Sequence, residues 1–364
     1  MIFFSLGLPG RLAEWCDAVL VRLASRLPGG ASLTTWPPIT KMLGYDGIAP
    51  VLDQVAISLI ETGAAHLVMG ARQPDERLRA SLTATNSRFV VALDDPRCAV
   101  AEILGDSNAD LKAVTRAIAN SCPLVMQCAN SPGAITIRGH QAEFDAVGAV
   151  SAIAQHFELS LDDGEAERIV EELAVHDLCY IAKQPGEEAT RSPEANHKLV
   201  EGALSSYAKC FAGDDLAAII WPRELFIVNG DSGKGLTDAL DVAGGMRILI
   251  FGPYIHLPAG SWTARVFLGF SPEAAGHTFL VDAYSGGQLG STSFQPERGG
   301  VYTVDINFSL DEPSGQGVEI RVWVWSDYAC GQVAFGHVIL RPLAMRQPDV
   351  VIGSQDDFRT VLNL

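Results

Sequence analysis

No stretch of this chain runs apolar for the roughly 18–20 residues that a membrane-crossing helix needs. Positive charge is scarce too: 26 Lys and Arg stand against 43 Asp and Glu, a formal net charge of −17. The first absence speaks against a helical membrane span. The second speaks against general binding to nucleic acid or to anionic membranes, whose phosphates such a surface repels. Cysteine is present but unorganised. The seven thiols (Cys16, Cys98, Cys122, Cys128, Cys179, Cys210 and Cys330) are odd in number and none forms a CxxC pair. Reduced core thiols are expected rather than a disulfide frame, and no metal site is expected. HExxH, HxH and GxSxG are also missing, which removes the commonest signs of a zinc protease or an α/β-hydrolase nucleophile. The opening MIFFSLGLPGRLAEW lacks the basic start and long apolar run of a secretory signal. A cytoplasmic protein is expected.

What is present is apolar bulk. Hydrophobic residues make up 48% of 364, enough for packed cores and more chain than one core usually holds, so two domains are expected. The first two thirds alternate strand and helix. Short apolar runs at 2–6, 65–70, 88–93 and 122–128 read as buried strands of a parallel sheet. Helical spacing marks 11–26, 48–63, 141–157, 161–174 and 192–212, with Leu12, Trp15, Val19, Leu20 and Leu23 on one stripe of the first. Strands alternating with helices imply an α/β layer fold.

The pattern changes after Trp221. Period-two runs at 245–251, 262–270, 277–284, 301–308, 318–325 and 333–343 are separated by Gly-, Pro- and Ser-rich turns. They predict an antiparallel β-sandwich or jelly roll. The expected domains are an α/β domain over 1–228, a β-sandwich over 240–345 and a tail over 346–364. In WPRELF (221–226), Trp221 and Phe226 are expected to anchor the linker, with Arg223 and Glu224 as a local ion pair. Asn229-Gly-Asp-Ser-Gly-Lys-Gly235 has the wrong spacing for a Walker A loop and lacks Ser or Thr after the Lys. It reads as an interdomain loop.

Two stretches carry a candidate phosphate site. Residues 3–15, FFSLGLPGRLAEW, run a strand through a Pro-Gly turn into a helix, and a helix start offers unpaired N–H groups and a positive dipole end. Residues 89–102 run a strand into Asp94-Asp95-Pro96-Arg97. Together these resemble a degenerate sulfotransferase, a family with a P-loop-like α/β fold. Pro9 and Trp15 keep the spacing of its first signature, and Asp95-Pro96-Arg97 the register of its second. The resemblance implies a PAPS donor at the Pro9-Gly10 turn, with Arg11 and Arg97 reaching in from shifted positions, and group transfer to an acceptor hydroxyl. Glu14, Asp94 and Glu102 stand where that family places phosphate ligands. Acids there cost about 4 kcal/mol per charge pair at about 4 Å, which counts against PAPS. Acidic side chains can also hold ribose hydroxyls or a phosphate-bridging divalent metal, so another nucleotide or nucleotide sugar stays open.

The strand Val318–Trp325 alternates Val318, Ile320, Val322 and Val324 with Glu319, Arg321, Trp323 and Trp325. The second set forms an outer face on which sugar C–H surfaces can stack and hydroxyls can bond. Packing on the α/β domain or on another subunit of a homo-oligomer explains such a face too. GPYIHLPAGSWTARVFLGF (252–270), with 282–290 and 318–325, resembles the carbohydrate-binding-like sandwiches appended to bacterial surface-polysaccharide enzymes. That resemblance implies a fold and no ligand residue. Expected are a bacterial polysaccharide-modifying transferase or, alternatively, a non-catalytic glycan-binding or assembly protein.

Overall fold

The computed structural model describes residues 1–35, 65–72, 76–106, 109–139, 144–175, 194–230, 236, 238–311 and 317–343. The helix expected at 48–63, the Ser192-Pro193 helix start, positions 231–235 of the glycine-rich loop and the tail lie outside them. The chain divides into two compact units. One comprises Met1–Ala109, Ser121–Ser192 and Tyr207–Asp215, and the other Asp110–Asn120, Pro193–Ser206 and Leu216–Leu364.

The first unit is built on a parallel sheet of β1 (Ile2–Gly7), β2 (Ala31–Thr35), β3 (His66–Ala71), β4 (Phe89–Leu93) and β5 (Ala134–Arg138), in the order β2-β3-β1-β4-β5. Its helices are α1 (Arg11–Ser25), α2 (Glu76–Ala84), α3 (Pro96–Asp106), part of α4 (Leu111–Ala129), α5 (Ala146–His156), α6 (Glu165–Val175) and the end of α7 (Glu194–Ala212). Every residue of β4 is buried, as expected of a strand covered on both faces. The apolar stripe of α1 is buried as predicted, at Leu12, Trp15, Val19, Leu20 and Leu23. Phe3 meets Phe157 edge-on at 5.0 Å and Trp15 meets Phe144 at 5.1 Å.

The strand expected at 122–128 is instead the second half of α4. Val114, Ile118, Cys122, Val125 and Cys128 are all buried, and their spacing of three and four is helical. Within seven residues an apolar run has no readable period. Its helical identity shows only over 19 residues.

The second unit is an antiparallel sandwich. One sheet has the order β13-β12-β15-β9-β7, with β10 paired to β15, and the other β14-β11-β16-β6, with β8 paired to β16. The strands are β6 (Ile219–Pro222), β7 (Ile227–Val228), β8 (Leu240–Asp241), β9 (Arg247–Phe251), β10 (Pro253–Ile255), β11 (Gly260–Phe270), β12 (Phe279–Tyr284), β13 (Gln288–Phe294), β14 (Gly300–Leu310), β15 (Val318–Val324) and β16 (Gln332–Pro342). Alternate residues fill the core: Trp262, Ala264, Val266, Leu268 and Phe270 from β11, and Val318, Ile320, Val322 and Val324 from β15.

The last stretch of this unit is Leu216–Leu364. Residues 219–222 form β6 and pair with β16, Trp221 opposite Val338. Trp221 is fully buried, and Phe226 packs on Phe335 with ring centroids 4.6 Å apart. Neither residue anchors a linker; both are sandwich core. The expected ion pair is present, with Arg223 Nε 3.4 Å from Glu224 Oε1. Among the described residues no helix is long and apolar enough to cross a membrane.

Candidate functional site

The parallel sheet has a topological switch point. From β1 the chain builds β2 and β3 on one side and then β4 and β5 on the other. In open α/β sheets ligands bind outside the carboxyl ends of the strands at such a reversal. The residues there are Leu8, Pro9 and Gly10 after β1, Asp94 and Asp95 after β4, and Arg72 after β3.

Gly10 precedes α1 with φ 151° and ψ 164°, a region open to glycine and closed to residues with a β-carbon. Arg11 and Glu14, in the first turn, are exposed. A β-carbon built on Gly10 would lie 3.9 Å from Glu102 Oε2. An acidic side chain of α3 therefore reaches the turn that a phosphate would occupy.

Arg97 is turned away from that role. Its Nε donates to Asp95 Oδ1 at 2.9 Å and its Nη2 to Asp95 Oδ2 at 2.5 Å. Asp95 is buried, and its Oδ1 also accepts from Arg97 N at 2.9 Å. Asp95 thus caps α3, and Pro96 sits at the first helical position, where its missing N–H costs nothing. Asp94 Oδ1 in turn accepts from Asp95 N at 2.8 Å. Helix-start bonds thus engage Asp94, Asp95 and Arg97.

Arg72 is held in the same way. It hydrogen-bonds and pairs with Asp17 on α1. A β-carbon on Gly70 would come 2.5 Å from Asp17 Oδ2, so only glycine leaves the carboxylate room. Burial pushes the Asp17 carboxyl above its usual range, and Arg72 opposes that rise. Ser5 Oγ, Asp17 Oδ1 and Arg72 Nη1 are buried without a hydrogen-bond partner. The sequence motifs did not single out Asp17, Arg72 or Gly70; the signal available was an acid on the apolar stripe of an amphipathic helix.

PAPS does not fit this arrangement. Asp94 stands where the resemblance places a 3′-phosphate arginine. Arg97, which could have reached in from a shifted position, is taken by Asp95, and Glu102 carries negative charge to the Gly10 turn.

The second candidate is the outer face of β15. Glu319, Arg321 and Trp323 are half-buried there, and Trp325, just past the strand, is 48% exposed. Arg321 pairs with Asp282 of β12, directly across the ladder, through Nε–Oδ1 at 3.0 Å and Nη2–Oδ2 at 2.5 Å. That bidentate bond holds the Arg321 guanidinium pKa above its usual value. Asp282 is buried and also accepts from Trp323 Nε1 at 3.1 Å. The guanidinium lies 4.0 Å from the centroid of Tyr284 and 5.3 Å from that of Trp323, both within cation–π range. Trp323 and Trp325 meet at 6.0 Å with their planes 75° apart. Tyr254 on β10 is 41% exposed, and burial together with the nearby Glu319 pushes its phenol above the usual value. Burial raises the Glu319 carboxyl, against Arg321. Sequence alternation placed Glu319, Arg321, Trp323 and Trp325 together; Asp282, Tyr284 and Tyr254 join them only through strand pairing.

No family model matches the chain, and no curated protein matches it. Among solved structures, a mouse sulfotransferase complexed with PAP is 11% identical over 58% of this chain and 86% of that one, with a TM-score of 0.39. Retinol dehydratase in complex with androsterone and inactive cofactor PAP is 10% identical over 58% of this chain and 81% of that one, TM-score 0.37. The CBM36-1 domain of a xylanase from a Trinervitermes trinervoides hindgut metagenome is 13% identical over 36% of this chain and 99% of that domain, TM-score 0.24. Likenesses this distant assign no activity.

Proposed function

We propose that this chain is a glycan-binding protein that serves the production or modification of a bacterial surface polysaccharide, and that the outer face of β15 makes the contact. The observation that carries this reading is the aromatic corner of Trp323 and Trp325 beside the Arg321–Asp282 pair. Two indoles in contact on an outer face, one of them half open to solvent, make the kind of apolar patch that marks an interaction surface. Ring faces stack on sugar C–H groups, and the neighbouring Glu319 and Tyr254 bond hydroxyls.

The reading is tested by electrophoresis of the full chain through gels containing soluble polysaccharides. Retardation by at least one polysaccharide, lost in Trp325→Ala with the circular dichroism unchanged, is the expected result. No retardation in any gel, together with a wild-type dimer that Trp325→Ala turns into a monomer by light scattering, would make the face a subunit contact.

A second reading keeps chemistry in the α/β unit, as group transfer to a sugar hydroxyl. The Gly10 turn at the switch point favours it. Pro9, Gly10, Arg11 and a released Arg97 would then face a donor phosphate. A thermal shift with 3′,5′-ADP supports this reading; a native-state ligand at about a hundred times its Kd adds about 2.7 kcal/mol. A shift only with UDP or GDP plus Mg²⁺ or Mn²⁺ would point to sugar transfer.

A further inference from the structure

We infer that the β15 face selects uncharged glycans over acidic ones and seats a single pyranose ring in the corner between Trp323 and Trp325. The inference rests on the reading of this face as a glycan site and names the class of glycan.

The charge of the face carries the first half. Arginine on a sugar-binding surface would ordinarily favour uronates and sulfated sugars, because its planar fork matches carboxylate and sulfate. The charge of Arg321 is already met by a buried carboxylate. Asp282 occupies Nε and Nη2 as a bidentate partner, and Tyr284 covers one side of the guanidinium at 4.0 Å. The two charges cancel at the centre of the face. Glu319 then adds a negative charge or, protonated, none. Arg116, the other cation acting on Tyr254, donates its Nη2 to Leu225 O at 2.7 Å, and its Nε is buried without a partner. An acidic glycan meets an Arg321 already neutralised by Asp282 and, beside it, the Glu319 carboxylate.

The geometry of the rings carries the second half. A flat ribbon of stacked sugars needs coplanar aromatic rings. Trp323 and Trp325 stand 75° apart at 6.0 Å, which forms a corner with one wall held rigid by the Trp323 Nε1–Asp282 bond. One ring can lie on the exposed Trp325 face with its edge against Trp323. At the other end of the strand, Tyr254 has φ 65°, a conformation strained for a bulky residue and often found at binding sites. A β-carbon on Gly317 would lie 2.3 Å from the Tyr254 carbonyl carbon, so the backbone there is pressed into place. Tyr254 lies beside Glu319 through the β10–β15 pairing, and together they supply a donor and an acceptor for sugar hydroxyls.

The test uses the full chain in affinity gels at fixed salt. Soluble neutral probes are mixed-linkage β-glucan, galactomannan, arabinoxylan and dextran; acidic probes are polygalacturonate, alginate and dextran sulfate. Expected is retardation by at least one neutral probe, at least tenfold tighter than by any acidic probe and lost in Trp325→Ala. Glu319→Gln narrows that gap by raising acidic binding. Acidic probes bound as tightly as neutral ones, with loss in Trp325→Ala, would overturn the inference and leave glycan binding standing. Retention on crystalline cellulose that Trp325→Ala abolishes would overturn the single-ring corner. Retardation by no probe of either class would overturn the glycan reading itself.

Discussion

Both units bury an aspartate under an arginine, and they use the pair in opposite ways. In the α/β unit, Asp17 holds Arg72 and Asp95 holds Arg97, and both arginines are thereby withdrawn from the crevice at the carboxyl ends of the strands. In the β unit, Asp282 holds Arg321, and the pair braces Trp323 and Tyr284 on an outer face. The same bond removes a ligand-binding group in one place and props up an aromatic platform in the other. An arginine at the right position in a sequence motif is therefore not yet an arginine available to a ligand.

The comparison breaks most directly at Asp282. Asp282→Ala leaves Arg321 without its partner and Trp323 Nε1 without an acceptor, and should cost about 3–5 kcal/mol, the usual loss when one member of a buried pair is removed. Urea unfolding followed by near-UV circular dichroism measures it. A loss below about 1 kcal/mol would put the pair in the class of surface ion pairs.

In the α/β unit the equivalent lever is Gly70. Gly70→Ala places a methyl 2.5 Å from Asp17 Oδ2 and should cost about 1–3 kcal/mol by overpacking. If the clash is the cause, most of that loss disappears in an Asp17→Ala background, because the two changes then share one space.

Glu102→Gln sharpens the contrast in ligand binding. Removing the carboxylate near the Gly10 turn should raise affinity for 3′,5′-ADP about tenfold or more, given charge–charge energies of about 4 kcal/mol at about 4 Å near a surface. Isothermal calorimetry reads it, and unchanged affinity would show that the turn is closed to phosphate for another reason.

A smaller effect follows from the raised Asp17 pKa. The native state holds this proton more tightly than the unfolded chain does. Its contribution to stability is therefore present below pH about 4 and is lost as pH rises through the raised value. Asp17→Asn should flatten the decline of α/β-unit stability with rising pH over that window, and an unchanged pH profile would contradict the burial argument. The smallest effect is expected at Arg265, whose exposed pair with Asp305 contributes about 0–1 kcal/mol. Arg265→Ala should shift the urea midpoint little.

Much of the fold was legible because period and burial coincide. The α1 stripe and the alternation of β11 and β15 could be read from single residues, since a helix or strand with one buried face shows its period directly. Short elements were not legible. β2, β5 and β13 carry weak or mixed patterns, and residues 122–128, read as a strand, belong to a 19-residue helix. Trp221 and Phe226 looked like linker residues because four-residue β6 has too few positions to show a period; pairing with β16 gives it its place.

By itself, the sequence determined the order of an α/β part and a β-sandwich, the acidic surface, and the grouping of Glu319, Arg321, Trp323 and Trp325 on one face. These follow from local period and composition, which need no knowledge of what lies across space. Only the tertiary structure decided that Arg97 and Arg72 are bound by aspartates, that Glu102 reaches Gly10, and that Asp282, Tyr284 and Tyr254 complete the β15 face. Those contacts join residues far apart in the chain, Gly10 and Glu102 among them, or set by strand register, and the free energy of a charge depends on the partner that folding brings beside it.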